Sequence, residues 1–546
     1  MRLNLILCAS VLVLLASCSA PEKEPYAFQV SDLEPHIVKL ASDEFEGRMP
    51  FSAGETKTIN YLESEFKAYG LEPGNGDSYF QDVPLASITS MGAPTMTVAS
   101  AAESVTLEGL SDYVIWTQRT DSLVTFEDTE IVFAGFGIVA PEYGWNDYKN
   151  IDVKDKIVMV LVNDPGFGTE DASFFKGNTM TYYGRWTYKY EEAIRQGALG
   201  VLIVHNTIPA GYGFNVVQNR WNSEQLYLDD RKETTYKLAF EGWVTLPTAN
   251  KLFEMAGLNE REMLAKARKA DFQAIPMNLK ASSSLIVSTK YDVSKNVIAK
   301  VTGATKPNEY VIYTAHWDHL GIGAPDETGD SIYNGALDNA SGTAALLALA
   351  EAFAKEEKPE RTVVFLAVTA EEQGLWGSLY YALNPVYPKE QTVANINMDG
   401  INPSGKMNDV SVIGIGQSEL EDLLDVELAK QGRYASPDPT PTAGYYFRSD
   451  HFSFAKVGIP ALYFGTGIDH FEKGKEYGKQ LEDEYVQLYY HKPSDSYDPE
   501  RWNLDGAVDD VQLLYNIGQN LSNSDVWPQW KEGSEFKAIR DGYMKK

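Results

Sequence analysis

At 546 residues the chain is longer than one compact core usually accommodates, so two or more folding units are expected. Its 44% hydrophobic and 23% charged content is ordinary for a globular protein. A formal net charge of −30 with a pI near 4.7 argues against nucleic acid and anionic membrane surfaces as partners, and it accounts for solubility.

Near the N-terminus, Arg2 precedes the apolar runs Leu3 to Leu7 and Val11 to Leu15, too short and too soon interrupted to span a bilayer. The stretch reads as an export signal. It closes on Leu15-Ala16-Ser17-Cys18, which resembles a bacterial lipobox, the site where a lipoprotein is cleaved and lipidated. Only Cys8 and Cys18 occur, and Cys8 lies inside the signal. The mature chain would then carry one lipidated cysteine and no internal disulfide, leaving a large core and bound metal to stabilise it. A tether follows. Ser31 and Asp32 are expected to cap a first helix through Leu40, and Ser52 a second that stops at Gly70.

From Val83 to Phe126 short Thr-, Val- and Ser-rich segments suggest strands. Glu130 to Ile138 and Lys156 to Val162 read as strands. Ala193, Gly197, Ala198 and Gly200 lead a helix through a turn into the buried strand 201–204. This pattern is similar to a protease-associated (PA) domain. From Ser288 strands and helices alternate, with strands at 310–315, 362–368, 393–397, 410–413 and 461–464 and helices at 342–355 and 419–431. The expected fold is therefore α/β: a mainly parallel mixed sheet flanked by helices, with an inserted β-rich PA-like domain. The expected units are a signal at 1–17, a lipidated tether at 18–29, peptidase segments at 30–94 and 287–546, and the insertion at 95–286.

The chemistry-bearing residues follow strands. His316-Trp317-Asp318-His319 follows the first of these strands, Glu371-Glu372 the second and Asp399-Gly400 the third, while Asp338 opens the intervening helix. Ligands in open α/β sheets gather beyond the carboxyl ends of strands, so these groups should share one crevice. Read singly, Asp338 is a helix cap, Glu371-Glu372 a solvated pair, Asp399-Gly400 a turn and His491 a loop residue; their coincidence argues for one site.

In order, His-x-Asp, Gly-Ala-x-Asp-x-Ala-Ser-Gly, Glu-Glu-x-Gly, Met-Asp and His491-x-Pro-x-Asp resemble the motifs of the M28 metallopeptidases, a zinc-exopeptidase family. The resemblance implies two zinc ions, with His316 and Asp399 on one, Glu372 and His491 on the other, and Asp338 bridging. It makes Glu371 the base, Asp318 the residue orienting His316, and Tyr446 a candidate hydroxyl donor to the oxyanion. The implied activity is that of an aminopeptidase on peptide substrates, with the insertion roofing an acidic cleft. Alternatives are a carboxypeptidase whose Arg448 holds a carboxylate, a one-zinc glutaminyl-cyclase-like acyltransferase, and an inactive receptor-like protein. Membrane attachment is expected only through a lipid on Cys18 at a bacterial cell envelope.

Overall fold

The structure, a computed structural model, describes residues 26–232 and 235–545. The export signal and Cys18 lie outside the described residues. No helix among the described residues is long and apolar enough to cross a membrane.

The C-terminal half is built on a mixed sheet. Its neighbours, in order, are Phe80–Gly92, Ile275–Val301, Arg361–Val368, Lys306–His316, Thr392–Asn397, Ala461–Thr466, Asp409–Val412 and Tyr434–Pro437. The strands from Arg361–Val368 to Ala461–Thr466 run parallel. Arg361–Val368 is buried at every position, as an apolar strand covered on both faces must be. The helix Gly342–Lys355 is buried from Gly342 through Ala350, consistent with its nearly uninterrupted apolar sequence.

The insertion has its own core. Ile157–Leu161, Gly200–His205 and Phe240–Thr245 form a parallel trio, edged by Leu123–Phe133 and Tyr113–Trp116. Phe126, Phe133, Phe240 and Phe253 pack on one side of it, and Trp116 and Trp243 belong to a second cluster.

One element joins the halves. The strand Ile275–Val301 runs 27 residues, pairing with Leu123–Phe133 early and with Arg361–Val368 at its end. Phe80–Gly92 pairs beside it from Leu285↔Gly92 to Val297↔Phe80. The expected boundary at 286/287 therefore falls inside a continuous strand, because the alternating residues that mark a strand do not change where one core gives way to the next.

A second seam is aromatic. Met180 of the insertion clusters with Tyr446, Phe447, Phe452 and Phe536, and the Tyr182 ring lies 5.2 Å from that of Phe452. Lys456–Glu191 at 2.8 Å and Lys176–Glu535 at 3.1 Å also cross it.

The helical expectations hold at Ser52, whose side chain accepts a hydrogen bond from the Glu55 N–H at the start of Ala53–Ala68. They fail at Ser31, which lies in a 3-10 turn; the helix starts at Glu34, where Pro35 suits a first turn.

Candidate metal centre

The strand ends converge as the topology requires. His316 closes Lys306–His316, and its Nε2 lies 3.3 Å from Asp338 Oδ1 and 3.2 Å from Asp399 Oδ1. The other oxygen of Asp338 is 3.2 Å from His491 Nε2, which is 3.1 Å from Glu372 Oε2. Glu371 Oε2 is 4.0 Å from His316 Nε2. The five expected ligands and the expected base thus form one cluster, with Asp338 between its two halves.

Loop geometry puts them there. Gly335 has φ +55°, and a side chain on it would meet the Asp338 carbonyl and the His319 ring. The Asn339 side chain accepts from the Gly342 and Gly400 N–H groups and donates to the Met398 carbonyl, tying the Asp338 loop to the Asp399 loop. Asp495 accepts from the backbone N–H groups of Leu337 and Asp338, which explains the last Asp of the His-x-Pro-x-Asp motif. Ala370 at φ 53° turns the chain out of Arg361–Val368 to present Glu371 and Glu372.

Burial alone would lower the His316 imidazole, but Glu371, Asp399 and Asp338 outweigh it and hold it well above its usual range. Burial raises Glu371, and Asp399 and Glu372 raise it further, so its carboxyl sits well above the carboxylate range. Burial and Asp338 push Glu372 the same way, yet His319 and His491 hold it at about 2.

The donor set fits cations. Imidazole nitrogens and carboxylate oxygens in two groups, His316–Glu371–Asp399 and His319–Asp338–Glu372, lie within 4.8 Å of one another. His491 Nε2 has two carboxylates within 3.2 Å but no hydrogen-bond partner among the described residues, so its nitrogen and these oxygens converge without a proton aligned between them.

Residues 296–515 match the family model described as Peptidase family M28. A probable zinc metalloprotease of Pyrenophora teres f. teres (strain 0-1) is 35% identical over 138 residues, covering 25% of this chain and 26% of that protein. Aminopeptidase NAALADL1 of Mus musculus is 36% identical over 112 residues, covering 19% of this chain and 13% of that protein. The chain spans 26% to 49% of the length of the first curated relatives it matches. Among solved structures, the aminopeptidase from Aneurinibacillus sp. strain AM-1 aligns with a TM-score of 0.49 at 19% identity, covering 91% of this chain and 95% of that one.

Two expected roles change in the structure. Asp318 does not orient His316 through its carboxylate, which is 3.9 Å from His316 Nδ1; the Asp318 carbonyl, at 3.1 Å, faces that nitrogen. The carboxyl accepts the Glu371 N–H at 3.0 Å and so positions the candidate base. Burial pushes this carboxyl up to about 8. Tyr446 does not face the cluster. Its ring belongs to the aromatic seam, its hydroxyl has no hydrogen-bond partner among the described residues, and beyond burial the groups acting on it are Glu535 and Glu421. A phenol that does reach the cluster is Tyr463, which donates to the Asp399 carbonyl at 3.2 Å.

Sequence reasoning also missed His319 and Arg48. His319 Nδ1 is 2.5 Å from Glu372 Oε1. Arg48 is buried and donates to the carbonyls of Leu40, Trp317, Asn334 and Gly335. His319 obeys the strand-end rule that collected the others; Tyr463, inside the strand Ala461–Thr466, and Arg48 carry no such signal. Beyond the Asp338 loop lies a cavity of about 540 Å³ lined by Leu337, Met407, Tyr485, Tyr489 and Asp495 among others.

Proposed function

We propose that the chain is an exported, lipid-anchored exopeptidase that uses two zinc ions to remove N-terminal residues from peptides. The single observation carrying this reading is Asp338, one oxygen toward His316 and the other toward His491. His316 and Asp399 would hold one ion, Glu372 and His491 the other, and Asp338 both; imidazole with carboxylate suits zinc. When bound, the ions supply Lewis acidity that lowers the pKa of the attacking water and stabilises the developing oxyanion.

The protein's own groups do the rest. Glu371 accepts the water's proton and returns it to the leaving amine, the task for which a carboxyl with a raised pKa is suited. Asp318 holds the Glu371 backbone in place for that transfer. The surrounding carboxylates attract a peptide's α-ammonium, and the cavity beside the Asp338 loop offers space for the first side chain. The PA-like insertion meets the C-terminal half along the aromatic seam. The Leu15-Ala16-Ser17-Cys18 stretch supports lipidation of Cys18 and a cell-envelope location.

Purified protein is expected to hold close to two divalent ions, and Asp338→Ala to lose both. Peptides with free N-termini should shorten one residue at a time, while N-acetylated versions resist. One ion with full activity would point to the one-zinc acyltransferase instead. Acetylated peptides shortened from their C-terminal end would make the chain a carboxypeptidase. An unmodified Cys18 in mass spectra of membrane-extracted protein would end the anchoring proposal.

A further inference from the structure

The insertion repeats, on a smaller scale, the layout that assembles the metal centre. Its strands Ile157–Leu161, Gly200–His205 and Phe240–Thr245 run parallel, and beyond their carboxyl ends lies a cavity of about 230 Å³. Leu161, Val204 and Leu246 line it from the three strand ends, joined by Phe136 and Leu264. Ile208, also in the lining, is 78% exposed, so the cavity opens to solvent beside it. The space is smaller than the roughly 300–1,000 Å³ of drug-sized ligand sites, which limits an occupant to about one amino acid.

The polar groups in this apolar wall fall into two kinds. Asp164 is used up internally: its carboxylate accepts from the Gly166 N–H and from the backbone and hydroxyl of Thr181. Asn163 accepts from the Asp164 N–H and donates to the Pro209 carbonyl. Arg268 and Glu260 are different. Arg268 donates one Nη to the Phe167 carbonyl at 2.8 Å, but its Nε is buried with no hydrogen-bond partner among the described residues. Glu260 has no hydrogen bond or ion pair among the described residues. One small cavity thus carries a cation and an anion, each without an oppositely charged partner among the described residues. The helix Leu246–Met255 starts at the same place and adds its positive end to the cation.

We propose that this cavity binds a free apolar α-amino acid, with its carboxylate on Arg268, its ammonium on Glu260 and its side chain against Leu161, Val204 and Leu264. A guanidinium fork matches a carboxylate, and Glu260 disfavours a ligand that carries a carboxylate alone. A peptide is too large, and an uncharged apolar molecule leaves both charges unpaired. The exopeptidase reading supplies the source of the ligand, the residue released at each cut; the site itself stands on the cavity and its charges.

The test is calorimetry of leucine, glycine, leucinamide and 4-methylpentanoate on the zinc-loaded full protein and on Asp338→Ala protein. Leucine should bind both, because the cavity lies apart from the metal centre. Glycine should bind at least about tenfold more weakly for want of an apolar side chain. Leucinamide and 4-methylpentanoate, each lacking one charge, should also lose about tenfold. These comparisons need no variant of the cavity to fold. Arg268→Gln should abolish the difference between leucine and leucinamide, Arg268→Lys should keep part of it, and Glu260→Gln should abolish the difference between leucine and 4-methylpentanoate. Absence of leucine binding to either protein overturns the proposal, as does equal binding of leucine, its amide and the ammonium-free acid. Binding that disappears in Asp338→Ala yet survives in Arg268→Gln assigns leucine to the metal centre and overturns it too. Failure to cleave peptides, with leucine binding intact, overturns the exopeptidase reading and leaves this site standing.

Discussion

Glu371 and Glu372 are neighbours in the chain with opposite electrostatic fates, one held well above the carboxylate range and the other at about 2. The difference is directional. Glu372 meets two histidines, His319 and His491, whereas at Glu371 the single His316 is opposed by Asp399 and Glu372 itself. Glu371→Gln keeps the shape and removes the proton acceptor, so kcat should fall by at least about 10²-fold. Elemental analysis should find its metal content unchanged, unlike that of Glu372→Gln. Tyr446→Phe supplies the converse measurement. Its hydroxyl has no hydrogen-bond partner among the described residues, so kcat should stay within about twofold, whereas loss of an oxyanion donor costs about 10²–10³-fold. A loss of that size in Tyr446→Phe would return the tyrosine to the active site.

At the scale of elements, the strands deliver the ligands and the loops hold them. Arg48, in the short segment between the first two helices, ties Leu40 to both the loop after Lys306–His316 and the loop before Asp338. Burial lowers its pKa to about 10, offset by Asp318, Asp495, Asp338 and Glu372, so it stays charged and balances the acidic cluster. Removing a buried charge with several such bonds typically costs about 3–5 kcal/mol. Arg48→Met should therefore unfold at lower denaturant concentration and bind metal more weakly. A midpoint and metal affinity equal to wild type would show that the loops hold their shape unaided.

Across the whole molecule, two cores share the strand Ile275–Val301 and meet along an aromatic seam, which joins residues of the expected insertion to the C-terminal half. His451 is buried next to that seam, with ring contacts to Tyr446 and Tyr463. Burial lowers its pKa to about 3. A histidine depressed in the folded state contributes its full stability above the unfolded value of about 6.5, and that contribution is lost as pH falls toward 3. The slope is at most about 1.4 kcal/mol per pH unit. His451→Gln should gain in Tm relative to wild type as pH drops from 6.5 to 4, measured by thermal melts at matched ionic strength. A constant difference across that range would mean His451 does not couple acid to unfolding.

The sequence by itself determined the strand-helix alternation, the five candidate ligands, the candidate base and the cap at Ser52. Each is a local statement: burial on both faces makes a strand uniformly apolar, and a parallel sheet gathers whatever polar residues follow its strands. Where the chain must turn back on itself over long distances, local pattern is silent. Arg48 bonds to a carbonyl 286 positions away, and Tyr463 reaches the cluster from a strand read only as apolar. Tyr446 matched a motif and was drawn instead into the seam with Met180 and Phe536. Only the tertiary structure decided these positions, because an aromatic ring goes where the most apolar surface is buried and a cation where the packing leaves carbonyls or carboxylates to receive it.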